Sequence, residues 1–239
     1  MVLKALLSPD DYFAERDSQL ARAVAVVLVV AIVTTTVVGA FGWVVSQRVT
    51  ATTEVDNSER PPDWMCDGET ESEAEGMVQE NCDEPKTKTV EVGDLLWDAF
   101  NQQLPFVFVG VFFVWGLYAI GLHAVSAVLG GDGSFLDTLA VAGVGMAPSA
   151  IQALAGFGLL YVSLGGIDLS ASNPELLAEQ VRSLAQRAQG QTMLLSLLGA
   201  AWQGYVWTFG VKHARNLPTG AAAISGGVVA LFVFLSGLA

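Results

Sequence analysis

The sequence predicts an all-α integral membrane protein: a five-transmembrane-helix bundle with short interfacial helices and a long acidic extracytoplasmic loop. Three observations carry that prediction. Hydrophobic residues make up 52% of the 239 positions and charged residues only 15%, against about 25% charged in soluble domains. The apolar residues gather in five long blocks, on the scale of the roughly 20 residues that cross a bilayer. The formal charge of -13 is concentrated in one segment between the first two blocks. Backbone amides find no water in lipid, so continuous blocks of this kind predict helices. A membrane β-barrel would instead show short alternating segments.

Residues 1–22 predict a cytoplasmic interfacial helix. Ser8-Pro9-Asp10-Asp11 reads as a helix start, with Ser8 as the cap, Pro9 in the first turn and acids behind it. Tyr12 and Phe13 follow, and aromatic rings favour the headgroup level. Residues 23–45 predict the first transmembrane helix. Its run is longer than a signal-peptide core, and a polar stretch precedes it, so it predicts a retained helix.

Residues 46–103 form the acidic segment, with fifteen Asp and Glu against four Lys and Arg. Such a balance disfavours nucleic-acid binding, which needs clustered bases. Both cysteines, Cys66 and Cys82, lie here. Outside a cell, that pair predicts a disulfide; histidine and CxxC spacing are absent, so a metal site is the weaker reading. Residues 49–55 and 86–92 have β character, which fits a small hairpin stapled by the bridge. Leu95, Leu96, Trp97 and Phe100 alternate with polar residues and predict a second surface helix.

Residues 104–239 predict a four-helix membrane bundle, with blocks at about 104–129, 136–164, 193–211 and 219–238. The first two are joined by Gly130-Gly131-Asp132-Gly133. A phosphate loop would need a preceding strand and a lysine, and a calcium loop would need alternating acids and a late Glu. Neither pattern is present, so the segment reads as a tight turn. Ser134 and Asp137 then resemble a capping box. In the third block, Gly143 and Gly145 predict close helix packing and Pro148 predicts a kink. Gly226 and Gly227 give the fifth block a similar small-residue side. Ser172-Asn173-Pro174-Glu175 opens a third surface helix, with Leu176, Leu177, Val181 and Leu184 on one side.

Lys and Arg near membrane ends set orientation. Lys4, Arg16, Arg22, Lys212 and Arg215 fall in short segments, whereas Arg48, Arg60, Lys86, Lys88, Arg182 and Arg187 are spread over two long ones. That density predicts a multi-pass protein of the cell membrane, with a cytoplasmic N-terminus and an extracytoplasmic C-terminus. Few polar groups lie at membrane depth: Gln152 and Gln203 within the blocks, and His123 toward the cytoplasmic end of the second. No nucleophile–base set or carboxylate pair is visible, so the sequence predicts no enzyme, cofactor or metal.

The order of these features resembles Yip1-domain proteins. The carriers are Ser8–Phe13, Gly121-Leu122-His123 with the Gly130–Phe135 turn, Thr138-Leu139 leading to Pro148, and Trp202–Val211 followed by Lys212–Pro218. The acidic segment is larger than that family's usual connection, and the acidic excess resembles a prokaryotic member of halophilic archaeal type. The resemblance implies a five-helix membrane domain with a cytoplasmic N-terminus. Eukaryotic relatives are implicated in vesicle traffic, bind prenylated small GTPases and have a long cytoplasmic N-terminal region. That region is about twenty residues here, so GTPase binding is not carried over. The resemblance implies no catalytic residue.

The expectation is a non-enzymatic scaffold or organiser acting by helix packing, lipid contact and recruitment of a protein partner or a second copy. Its candidate contacts are Tyr12, Phe13, His123, Asp132, Lys212, His213 and Arg215. The alternative is a small transporter or channel subunit with Gln152 and Gln203 in its path.

Overall fold

A computed structural model describes residues 2–15, 20–66, 81–164 and 174–237. Two short helices, α1 (Val2–Leu7) and α2 (Pro9–Ala14), precede the long α3 (Leu20–Ser46). Strands β1 (Thr52–Asp56) and β2 (Thr87–Glu91) flank the short α4 (Asp63–Cys66). Then come α5 (Val92–Val128), α6 (Phe135–Val144), α7 (Ala147–Leu164), α8 (Pro174–Ala214) and α9 (Thr219–Ser236).

Among the described residues, four helical stretches can cross a membrane by length and composition: α3, α5, the α6–α7 pair and α9. Their outward faces carry an apolar stripe. On α5 it comprises Phe106, Val109, Phe113, Leu117 and Ile120, all exposed and spaced by three or four as one helix face requires. Such a band suits lipid rather than water. The block at 193–211 forms the C-terminal half of α8. Trp202, Gln203, Tyr205 and Thr208 lower its apolar character, and α8 is not among the four.

The hairpin expected beside the cysteines is present. Strands β1 and β2 pair antiparallel, with Glu54 opposite Thr89. The Cys66–Cys82 disulfide closes their connection, with Cα atoms 5.6 Å apart. Asp63 adds ion pairs to Arg60 and Lys86, each 2.7 Å long.

Several boundaries differ from expectation. The surface helix at 95–101 is not separate but forms the first turns of the 37-residue α5, which continues through Pro105. Pro174 opens one 41-residue helix, α8, rather than a distinct interfacial helix. Ser172 and Asn173, and the side chains of Leu176, Leu177, Val181 and Leu184, lie outside the described residues.

The third block is interrupted just before Pro148. Helix α6 stops at Val144, and α7 restarts at Ala147 with Pro148 in its first turn, where a missing N–H breaks no helical bond. Met146 N–H turns back to Gly143 O at 3.1 Å.

Packing depends on close approach at chosen glycines. An added Cβ at Gly143 would sit 2.9 Å from both Ala23 Cβ and Trp115 Nε1. At Gly226 it would meet Thr208 Oγ1 at 2.7 Å and Gly204 O at 2.8 Å. Gly227 lies in the groove between α8 and α9 with Ala201, Gly204 and Ala223, but an added Cβ there meets nothing within 4 Å. Residues 226 and 227 are about 100° apart around a helix of 3.6 residues per turn, so only Gly226 is in close contact with α8.

Candidate functional site

Three connections converge at one end of the bundle: the α1–α2 segment, the α5–α6 turn and the α8–α9 turn. The β-hairpin lies at the opposite end of α3. There Gly93, near the start of α5, packs against the carbonyls of Ser46 and Val49.

The α5–α6 turn is shaped by its glycines. Gly130 and Gly133 hold φ of 85° and 130°, conformations that glycine adopts without penalty. Ser134 then caps α6. Its Oγ accepts from Asp137 N–H at 3.1 Å and donates to Asp137 Oδ2 at 2.6 Å.

Arg215 joins the two turns. Its guanidinium donates to Ser126 Oγ at 3.1 Å, to Gly131 O at 2.8 Å and to Gly133 O. In return, Arg215 O accepts from Asp132 N–H at 3.1 Å. Asn216, at φ 50°, donates its Nδ2 to Asp132 Oδ1 at 2.9 Å. Arg215 is only 3% exposed, and its forked donors suit several acceptors at once. The carbonyl-rich end of α5 favours a cation there.

Asp10 joins the N-terminal segment to α8. Lys212 Nζ donates to its two carboxylate oxygens at 2.7 and 2.9 Å, and His213 Nε2 lies 2.6 Å from Oδ1. The Lys212 hydrogen bond first, and that of His213 second, hold the Asp10 carboxyl below its ordinary value of 3.8. Asp10 also lies in the first turn of α2, and Lys212 and His213 in the last turn of α8. Asp10 and Lys212 therefore each carry the charge that the local helix dipole favours. Ser8 takes the cap position of α2 but makes no side-chain cap bond.

Of the seven expected contact residues, Tyr12 at 3% exposure and Phe13 at 7% are buried in the core. With Arg215 they hold the chain together and leave little surface for a partner, a correction to their expected role. Once Pro9 and Asp10 seat α2 on α8, its aromatic side faces protein rather than headgroups. His123 contacts Thr138 Oγ1 through Nδ1 at 3.2 Å and stacks edge-on against Phe135 at 5.4 Å. Lys212 and His213 stay partly exposed and Asp132 is exposed.

Sequence reasoning missed the tryptophans. Trp202 donates to Leu6 O at 3.0 Å, Trp115 to Leu139 O at 2.8 Å and Trp207 to Ala142 O at 3.2 Å. A buried indole N–H needs an acceptor, and the end of α6 frees the Ala142 carbonyl that Trp207 takes. Those two facts together were the available signal. Gln203 is also buried, at 3% exposure, with Oε1 unpartnered. Gln152 is half-buried, with its carboxamide against Gly199 of α8. Among the described residues, no group of three His, Cys, Asp or Glu could hold a metal ion.

The Yip1 domain matches residues 3–239 of the chain. No curated protein matches it, and no solved structure does.

Proposed function

Because the chain belongs to the Yip1 domain family, we propose that it is a non-enzymatic membrane scaffold that recruits a protein partner, a second copy or lipid. In this reading α8 is a fifth span, since residues 193–211 carry no Asp, Glu, Lys, Arg or His. The end bearing Asp10, Asp132, Lys212 and His213 is cytoplasmic, the disulfide-closed hairpin and the C-terminus are extracytoplasmic, and the membrane is the cell membrane. The acidic excess supports a halophilic archaeal type.

The observation carrying the proposal is the tie between Asp10 and Lys212–His213. It fixes the N-terminal segment beside the exposed Asp132–Asn216 pair, making one rigid polar platform from three connections. Its hydrogen bonds are spent within the chain, which suits presentation of a surface better than chemistry at a reacting group.

The test is in-cell photo-crosslinking from positions 132 and 216, with positions 113 and 117 on the α5 lipid stripe as controls. A defined protein or lipid captured at the first pair and not the second is expected. Equal capture at all four positions would remove the platform role.

A second reading, a small transporter or channel subunit, draws on the α6–α7 break and buried Gln203. Solute flux in reconstituted vesicles, abolished by Gln152→Leu and Gln203→Leu, would favour it over the scaffold.

A further inference from the structure

A groove of about 360 Å³ lies between α3 and α7, beside the N-terminal segment. Ala25 and Val29 of α3 form one wall, and Ala147 and Ile151 of α7 form the other. Ala5 and Leu6 of α1 complete it. Val29 at 55% exposure and Ile151 at 47% reach the outer surface of the bundle. Both belong to helical stretches apolar enough to cross a membrane, so the groove opens toward lipid.

The charge in this groove sits at one end. Among the described residues, Arg22 is the charged member of the lining, and no Asp or Glu joins it. Arg22 is exposed and lies in the first turn of α3, at the end of the bundle where the three connections converge. Val30, also in the lining, follows roughly 12 Å further along the helix at 1.5 Å per residue. The groove therefore runs from a cation at the membrane surface to apolar walls at depth. A bilayer lipid has the same order of polarity. An arginine fork suits a phosphate, whereas a headgroup ammonium would find no carboxylate in the lining. A peptide would bring backbone N–H and C=O groups that apolar walls leave unpaired.

We propose that this groove binds one anionic phospholipid, with its phosphate on the Arg22 guanidinium and part of one acyl chain along Ala25, Val29 and Ile151. The walls accept hydrocarbon, the single cation selects a net negative headgroup, and the volume is within the usual range of small-molecule sites. The inference stands apart from the platform reading, which concerns positions 132 and 216.

The experiment is native mass spectrometry of the full chain in detergent with dioleoyl phosphatidylglycerol, and with dioleoyl phosphatidylcholine, which has the same chains and phosphate but no net charge. The expected result is a one-to-one adduct held at least about tenfold more tightly for the anionic lipid, a ratio set by charge complementarity. Arg22→Gln should bring the two lipids within about twofold of one another, while Arg22→Lys should keep the preference. Ala25→Trp, at an exposed wall position, should fill the groove and lose the adduct while keeping the helical circular dichroism of the wild type. An equimolar amount of glycerol 3-phosphate, a headgroup without chains, should displace none of the lipid. Equal binding of the two lipids would overturn the proposal, as would a preference that survives Arg22→Gln or an adduct that survives Ala25→Trp. Displacement by glycerol 3-phosphate would replace the lipid with a free phosphate and overturn it, and so would absence of any adduct from the wild type.

Discussion

Trp207 donates its indole N–H to Ala142 O at 3.2 Å, capping a carbonyl that the break between α6 and α7 sets free. In a continuous helix Ala142 O would receive Met146 N–H, which here bonds Gly143 O instead. Gly145 permits the contact, because an added Cβ would strike the Trp207 indole ring. Trp207→Phe should therefore destabilise the protein by about 1–3 kcal/mol, the cost of orphaning a buried acceptor. Gly145→Ala should destabilise by about 1–3 kcal/mol through overpacking. Thermal unfolding in detergent measures both, and an unchanged Tm for Trp207→Phe would deny the capping role.

Arg215 should not be replaceable by lysine. One ammonium cannot reach Ser126 Oγ, Gly131 O and Gly133 O together as the guanidinium does. Arg215→Lys and Arg215→Gln should each cost about 1–3 kcal/mol through unpaired carbonyls. Full stability in Arg215→Lys would show that charge alone matters there.

The Asp10 tie makes stability depend on acid. Its carboxyl is held below the ordinary value of 3.8 by Lys212 and then His213, so the folded state binds its proton less readily than the unfolded state does. The resulting stabilisation is complete above the unfolded value and is lost as pH falls through the lower folded value. The Asp63 carboxyl, lowered by Lys86 and Arg60, has the same sign. Comparison with Asp10→Asn isolates one site from the other. The Tm gap between wild type and Asp10→Asn should be constant near neutrality and close below about pH 4, near the unfolded carboxylate value. A gap that persists in acid would mean that Asp10 acts through packing rather than charge.

Neighbouring glycines on α9 should behave oppositely. Gly226→Ala drives a methyl to 2.7 Å from Thr208 Oγ1, while Gly227→Ala meets open space. The first should destabilise by about 1–3 kcal/mol and the second should leave stability unchanged or slightly raised. Parallel melts of the two variants provide the check.

The Cys66–Cys82 bridge closes a connection with a sequence separation of 16, worth roughly 3 kcal/mol on the loop-entropy scale. Reduction should leave the helices intact and open residues 57–86 to protease. In intact cells, an impermeant thiol reagent should label both cysteines only after reduction. Labelling that needs cell lysis would reverse the orientation assigned to the hairpin.

Some features were legible locally. The apolar blocks marked the helices, because a backbone in lipid must satisfy itself. The Gly130–Gly133 turn and its Ser134–Asp137 cap followed from short-range chemistry, and the paired cysteines pointed to their own bridge. Even the hairpin showed in the β character flanking them.

What the sequence by itself determined, then, was which stretches seek hydrocarbon and where the chain must turn. The tertiary structure alone decided which side of each helix meets protein. That choice turned Tyr12, Phe13 and Arg215 inward, brought Gly226 and not Gly227 into close contact with α8, and ended α6 where Trp207 could cap it. Lipid and a packed helix are nearly equally apolar, so hydrophobicity cannot distinguish them. Steric fit and hydrogen bonds between residues far apart in sequence do.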